Sequence, residues 1–147
     1  AEFQPRTQAR ERSFTADRSE RVLTHKGEAD QALIQWVWPT TDDSDPARTL
    51  RLALLSRVMR IALTDKLREE LGQAYSPGAS SSASRVYRDY GTFSVTASVA
   101  VSEVDATREA LAELVAEIAA KPLGDDLIER ARRPLLEDYA NALKGLE

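Results

Sequence analysis

The stretch Gly91-Thr92-Phe93-Ser94-Val95-Thr96-Ala97-Ser98-Val99-Ala100-Val101 decides the fold of this 147-residue chain. Apolar side chains occupy every second position, and threonine and serine occupy most of the positions between them. This alternation predicts a strand with one buried face and one polar face, which is typical of an antiparallel sheet covered on one side. The serine-rich segment 74–85, joined to it through turn formers at 87–91, is the predicted partner strand.

Three helical patterns surround this strand pair. The first runs from about Pro46 to Leu71, is apolar around most of its circumference, and begins after the capping pair Ser44-Asp45. Gly72 supplies its stop. The second begins at the apparent capping box 102–105. The third begins near Asp125 and places on its inner side Leu127, Ile128, Ala131, Leu135, Leu136, Tyr139 and Leu143; Pro134 is expected to kink or restart it.

Upstream, two apolar runs predict a further strand pair, Glu20–His25 and Asp30–Trp38, around a turn at Lys26-Gly27. The second run is apolar on both faces, which favours an interior strand. Residues 1–20 are polar and indicate a linker, followed by a single domain over 21–147 that belongs to a larger protein. The element order β-β-α-β-β-α-α predicts an α+β fold: a two-layer sandwich whose mainly antiparallel sheet is covered by helices on one face.

Composition excludes several functions. The net charge of −4 and the pI near 5.2 argue against a nucleic-acid partner. No apolar run is long enough for a membrane span. Cysteine is absent and His25 is the only histidine, so thiol catalysis and a two-histidine metal site are excluded within this chain. The first residues do not form a signal peptide, and the sequence does not distinguish bacterial periplasm from cytoplasm.

Arg68 and Tyr75 are the candidate functional residues. Arg68 lies in the last turn of the first predicted helix, and Tyr75 follows the turn that ends it. A structural explanation is available, because a cation is favoured at a helix C-terminus and a tyrosine ring can pack beneath a loop. A functional explanation is that the two side chains donate hydrogen bonds to a peptide carbonyl or to a developing oxyanion.

The motif Leu67-Arg68-Glu69-Glu70-Leu71-Gly72-Gln73-Ala74-Tyr75-Ser76 resembles one found in the pitrilysin/insulinase family of zinc peptidases. The strand 30–35, the stretch Tyr90-Gly91-Thr92-Phe93 and the helix start at 125–133 resemble the same family, in the same order. The likeness covers about residues 18–147. It is to the second of two homologous domains, the one that lacks the H-x-x-E-H zinc motif.

This resemblance implies the substrate-binding half of a zinc metalloendopeptidase, inactive by itself. Arg68 and Tyr75 would contact the substrate, and Tyr75 would also take part in catalysis. The expected partners are a zinc-bearing homologous domain or subunit and a peptide substrate. No metal ligand and no cofactor are expected in this chain; the zinc would sit in the partner domain. The alternative is a non-catalytic partner or structural subunit of the same fold.

Overall fold

The computed structural model describes residues 11–24, 26–27, 30–71 and 76–145, apart from the side chains of residues 70 and 71. In chain order its elements are β1 (Gln31–Thr40), α1 (Pro46–Leu71), β2 (Gly78–Ala83), β3 (Gly91–Ala100), α2 (Val104–Ala120) and α3 (Asp125–Lys144). A single 3-10 turn, Val101–Glu103, leads into α2. The described strands form one antiparallel sheet in the order β1-β3-β2. The predicted α+β sandwich is confirmed.

The core lies between one face of the sheet and the helices α1 and α2. The alternating residues of β3 supply the sheet side, and Val95 and Ala97 are at most 1% exposed. Leu63 and Leu67 of α1 and Leu111 of α2 meet them and are equally buried. Full burial of one such leucine contributes about 1.5–3 kcal/mol. This contact places the two helices on a single face of the sheet.

Helix α1 has the bounds that the sequence predicts. The carboxylate of Asp45 accepts a hydrogen bond from the backbone N–H of Arg48 at 3.1 Å, so Asp45 caps the helix N-terminus. Pro46 occupies the first helical position, where its missing N–H costs nothing. The helix runs for 26 residues and carries Arg68 in its last turn.

The predicted upstream hairpin is wrong over residues 20–24. These residues form no strand, and His25, at the end of the predicted strand, lies outside the described residues. Val22 and Leu23 are 80% and 87% exposed, so the segment buries no apolar side chain that would stabilise a strand. Consequently β1 pairs with β3 alone among the described residues.

The prediction of an interior position for β1 is also wrong, because β1 lies at an edge of the sheet. Ile34 and its neighbours on one face pack into the core, whereas Leu33 and Val37 on the other face are 66% and 49% exposed. Apolar residues on both faces of β1 thus predicted an interior strand, but one of these faces is exposed.

Two details of the later helices differ from expectation. Pro134 lies inside α3 without ending it, and the helix continues to Lys144. The predicted inner side of α3 is buried or half-buried as far as Leu135. Beyond it, Leu136, Tyr139 and Leu143 are more than half exposed. At the start of α2, the residue before the helix is Glu103, which makes no side-chain capping hydrogen bond, so the predicted capping box is absent.

Residues 11–20 contact the domain at two separate places. The ring of Phe14 stacks on that of Tyr90 with a centroid separation of 4.5 Å, and the Arg12 guanidinium lies over the Tyr87 ring. Glu20 accepts a hydrogen bond from Arg108 of α2 at 3.0 Å. The division between linker and domain at residue 20 stays a prediction.

Thr107 offers a test of the core. It is fully buried in α2, and its hydroxyl has no hydrogen-bond partner among the described residues. Because an unsatisfied buried hydroxyl is destabilising, Thr107→Val is expected to raise the free energy of unfolding by about 1 kcal/mol. Urea denaturation measures this change. Thr107→Ser, which keeps the hydroxyl and loses the methyl group, should lower it; a loss of stability in the valine variant would contradict the prediction.

Asp42 makes part of the stability acid-sensitive. Its carboxylate accepts hydrogen bonds from the Ser44 hydroxyl at 2.5 Å and from the Asp89 backbone N–H at 2.8 Å, and these bonds lower the pKa of Asp42 below its ordinary value. A lowered folded-state pKa contributes stability above the unfolded-state pKa, and this contribution is lost as pH falls through the folded value. The stability of Asp42→Asn should therefore fall less steeply below about pH 4 than that of the parent.

Urea midpoints at pH 6 and at pH 3 measure the difference for Asp42. Glu109→Gln, on an exposed part of α2, is the control and should follow the parent at both values. If Asp42→Asn and the parent lose the same stability between pH 6 and pH 3, the hydrogen bonds from Ser44 and Asp89 do not depend on the negative charge of Asp42.

Candidate functional site

The last turns of α1 form a rigid platform. Lys66 pairs with Glu113 of α2 at 2.9 Å, and Asp65 pairs with Arg130 of α3 at 3.2 Å. Leu67, between the two ion pairs and Arg68, is 1% exposed. The end of α1 is thus fastened to both other helices, and a side chain projecting from it is carried on a fixed backbone.

Arg68 projects from this platform into solvent. It is exposed, and its guanidinium has no hydrogen-bond or ion-pair partner in the described part of the chain. It is the basic residue in the last turn of α1, so the partial negative charge of the helix C-terminus favours its position. An unpartnered guanidinium retains five N–H donors for a ligand.

Tyr75, the other predicted site residue, lies outside the described residues, as do Gly72, Gln73 and Ala74. The predicted convergence of Arg68 and Tyr75 therefore stays a prediction.

A groove that the sequence did not indicate lies among α1, β2 and α3. It has a volume of about 470 Å³ and is lined mainly by Ala53, Arg57, Arg60, Ala79, Ser81 and Leu135. Asp138 of α3 closes one wall and pairs with Arg57 at 2.6 Å. Arg57 and Arg60 lie three residues apart on a helix, which is ordinary spacing for surface residues. Their sequence positions alone do not indicate a groove, because the groove depends on β2 being an edge strand.

Metal ligands are scarce here. The sequence holds one histidine and no cysteine, so the H-x-x-E-H motif of the zinc domain has no counterpart. Within the described ranges, no cluster of histidine, aspartate and glutamate side chains is suited to a metal ion. The residues of those ranges do not fit a zinc site. Of the helices described above, none is both long and apolar enough to cross a membrane.

Comparison with known proteins identifies the domain. The family model for the peptidase M16 inactive domain matches residues 2–135, nearly the whole chain. A solved structure, the peptidase M16 inactive domain from Pseudomonas fluorescens, superposes with a TM-score of 0.65 at 16% identity. The superposition covers 76% of this chain and 27% of that one, so this chain spans about a quarter of the solved protein. No curated protein matches.

At that identity the structural likeness bears on the fold alone: it agrees with the antiparallel sheet and the helices on one face. The family match is independent of it and covers the platform at the end of α1, including the positions of Arg68 and Tyr75. The predicted family is confirmed, and this chain belongs to the peptidase M16 inactive-domain family, as a second, zinc-less domain of the pitrilysin type.

Proposed function

We propose that this chain is the substrate-binding half of a zinc-dependent metalloendopeptidase, and that Arg68 and Tyr75 contact the peptide. The observation that carries the proposal is the exposed guanidinium of Arg68, which has no partner among the described residues, at the end of α1 in a domain of this family. The peptide-bond chemistry requires a second domain, because this chain has no zinc motif.

Arg68 is suited to holding a carbonyl group of the substrate. Its neighbours Asp65 and Lys66 pair with α3 and α2, so the ordering cost of binding a ligand falls mainly on the Arg68 side chain. A charged donor forms a stronger hydrogen bond than a neutral one. The guanidinium would therefore fix the register of a peptide at the end of α1.

Tyr75 is proposed to donate its phenolic hydrogen toward the oxyanion that develops on the scissile carbonyl. It follows the last residue of α1 by four positions in sequence, so the chain spans at most about 14 Å between them. A tyrosine hydroxyl near neutral pH is protonated and can donate. Zinc in the partner domain would activate the attacking water.

The proposed partner is a homologous domain or subunit that carries H-x-x-E-H. The test measures hydrolysis of a quenched fluorescent peptide by that zinc-bearing partner, alone and with this chain added. We expect hydrolysis to rise by about a hundredfold or more when both are present, the effect of supplying an oxyanion donor. An equal rate with and without this chain would overturn the proposal.

In that event the alternative takes its place: a non-catalytic subunit of the same fold, in which Arg68 and Tyr75 are structural. That subunit would bind its partner without changing the rate. Size-exclusion chromatography of the same mixture distinguishes such binding from the absence of any association.

A further inference from the structure

Arg68 has one acidic neighbour on its own side of α1. Asp65 precedes it by three positions, and residues three or four apart on an α-helix are the ones whose side chains meet. The other positions at these spacings carry no charge; they are Thr64, Leu71 and Gly72. The two glutamates that follow Arg68 occupy positions about 100° and 200° further around the helix. Asp65 is therefore the carboxylate of α1 that is best placed to neutralise Arg68.

An ion pair between Asp65 and Arg68 would be favourable for an isolated helix. An acidic residue on the N-terminal side of a basic one is the preferred order at this spacing, because it agrees with the helix dipole. The guanidinium of Arg68 nevertheless has no ion-pair partner in the described part of the chain. The carboxylate of Asp65 must therefore be engaged elsewhere.

That carboxylate is held by α3. Its Oδ2 atom lies 3.2 Å from Nη2 of Arg130, and the Asp65 and Arg130 side chains are 41% and 50% exposed. Arg130 is also within 3.9 Å of the carboxylate of Asp126, one turn earlier on α3, which helps to orient its guanidinium. Asp65 thus forms its ion pair between helices and leaves Arg68 without one.

We infer that Arg130 is a positioning residue: by pairing with Asp65, it keeps the guanidinium of Arg68 free for a ligand. The inference rests on the proposed function only for the identity of that ligand as a substrate peptide. It gives α3 a role besides packing on α1, because the ion pair that joins the two helices also prevents an ion pair within α1.

The size of the effect follows from the kind of pair that would form. Without Arg130, the carboxylate of Asp65 would lose its described partner, and Arg68 would be the cation at pairing distance on the same helix face. An exposed pair at this spacing changes an equilibrium by about twofold at low ionic strength and by less in salt. The loss of Arg130 should therefore have a small, salt-dependent effect on Arg68, unlike a general loosening of α3.

The test measures how fast phenylglyoxal modifies Arg68 in the full 147-residue chain, with mass spectrometry of the digested protein as the readout. The reagent attacks the unprotonated guanidine, so an ion pair that stabilises the cation slows the reaction. Arg51, exposed near the other end of α1, is the internal reference. In about 10 mM salt, Arg130→Gln should slow modification of Arg68 about twofold relative to Arg51; in about 1 M salt the difference from the parent should disappear.

Removal of the carboxylate should reverse the effect. Asp65→Asn, added to Arg130→Gln, should restore the parental rate at Arg68, although it does not restore the ion pair between α1 and α3. The matched control is Arg132→Gln, which loses a 2.8 Å pair with Glu129 within α3 and should leave the rate at Arg68 unchanged.

Two results would overturn the inference. The first is an equal rate at Arg68 in Arg130→Gln and in the parent at low salt. The second is a slower rate that persists when Asp65→Asn is added, because the lost ion pair and not the released carboxylate would then be its cause. The proposed function is tested separately: if the predicted rates are found but Arg68→Ala leaves KM unchanged in the assembly with a zinc-bearing domain, the inference stands and the proposed function is wrong.

Discussion

In the proposed assembly with a zinc-bearing domain, Tyr75→Phe is expected to lower kcat by about 10²–10³, because it would remove the proposed hydrogen-bond donor to the developing oxyanion. The ring is kept, so packing changes little. Arg68→Ala should act differently: it would remove the proposed contact to the substrate carbonyl, which would be made both before and during reaction, so KM should rise by about tenfold or more. Steady-state kinetics on one peptide separates the two effects.

The controls for these variants are available on the same helix. Arg51 is exposed near the start of α1, and Arg51→Ala should leave both constants unchanged. Arg68→Lys keeps the charge but loses the planar pair of donors, and should recover only part of the KM change. If Tyr75→Phe and Arg68→Ala both retain the parental constants while zinc stays bound, the assigned roles are wrong.

Gly91→Ala is expected to reduce the free energy of unfolding by about 3 kcal/mol or more, at or above the upper range for overpacking. Gly91 is buried at the start of β3, where β1 and β2 end on either side. A methyl group there would collide with the Thr41 carbonyl oxygen and would lie 2.6 Å from the Thr40 hydroxyl and 2.8 Å from the Ser82 carbonyl oxygen. Two of these atoms are backbone and cannot rotate away.

Urea denaturation followed by tryptophan fluorescence measures the loss, since Trp36 and Trp38 pack against the core. The matched control is Gly124→Ala. No atom lies within 4 Å of the methyl group it would add, and its stability should stay within about 1 kcal/mol of the parent. Equal stability of the two variants would contradict the prediction, because it would show that the backbone around Gly91 accommodates a methyl group without loss of free energy.

Local chemistry explains what could be predicted of the fold. The start of α1 follows from Asp45 and Pro46, which act within one turn of it. The alternation in β3 follows from a sheet covered on one face. The exposure of β1 could not be predicted, because an apolar outer face has the same sequence whether a second layer or solvent covers it. Exposed Leu33 and Val37 are the result.

The candidate site divides in the same way. The placement of Arg68 at the end of α1 depends on a helix stop that the sequence predicts, and the structure places it there, exposed. The groove beside β2 could not be predicted, because it depends on strand order and on α3 crossing beside α1. Ion pairs such as Arg57 with Asp138 join residues 81 positions apart, and no local pattern indicates them.

The sheet has two bare margins, β1 and β2, in the described part of the chain, and its outward face carries only uncharged side chains along β1, β2 and β3. One copy's β1 could therefore pair with the next copy's β2, and such head-to-tail pairing forms an open filament unless the rotation between copies closes it into a ring. Because these strands carry no charges that would repel a second copy, the association would depend on protein concentration and little on salt concentration. A companion domain that covers either margin would then also act as a guard against polymerisation.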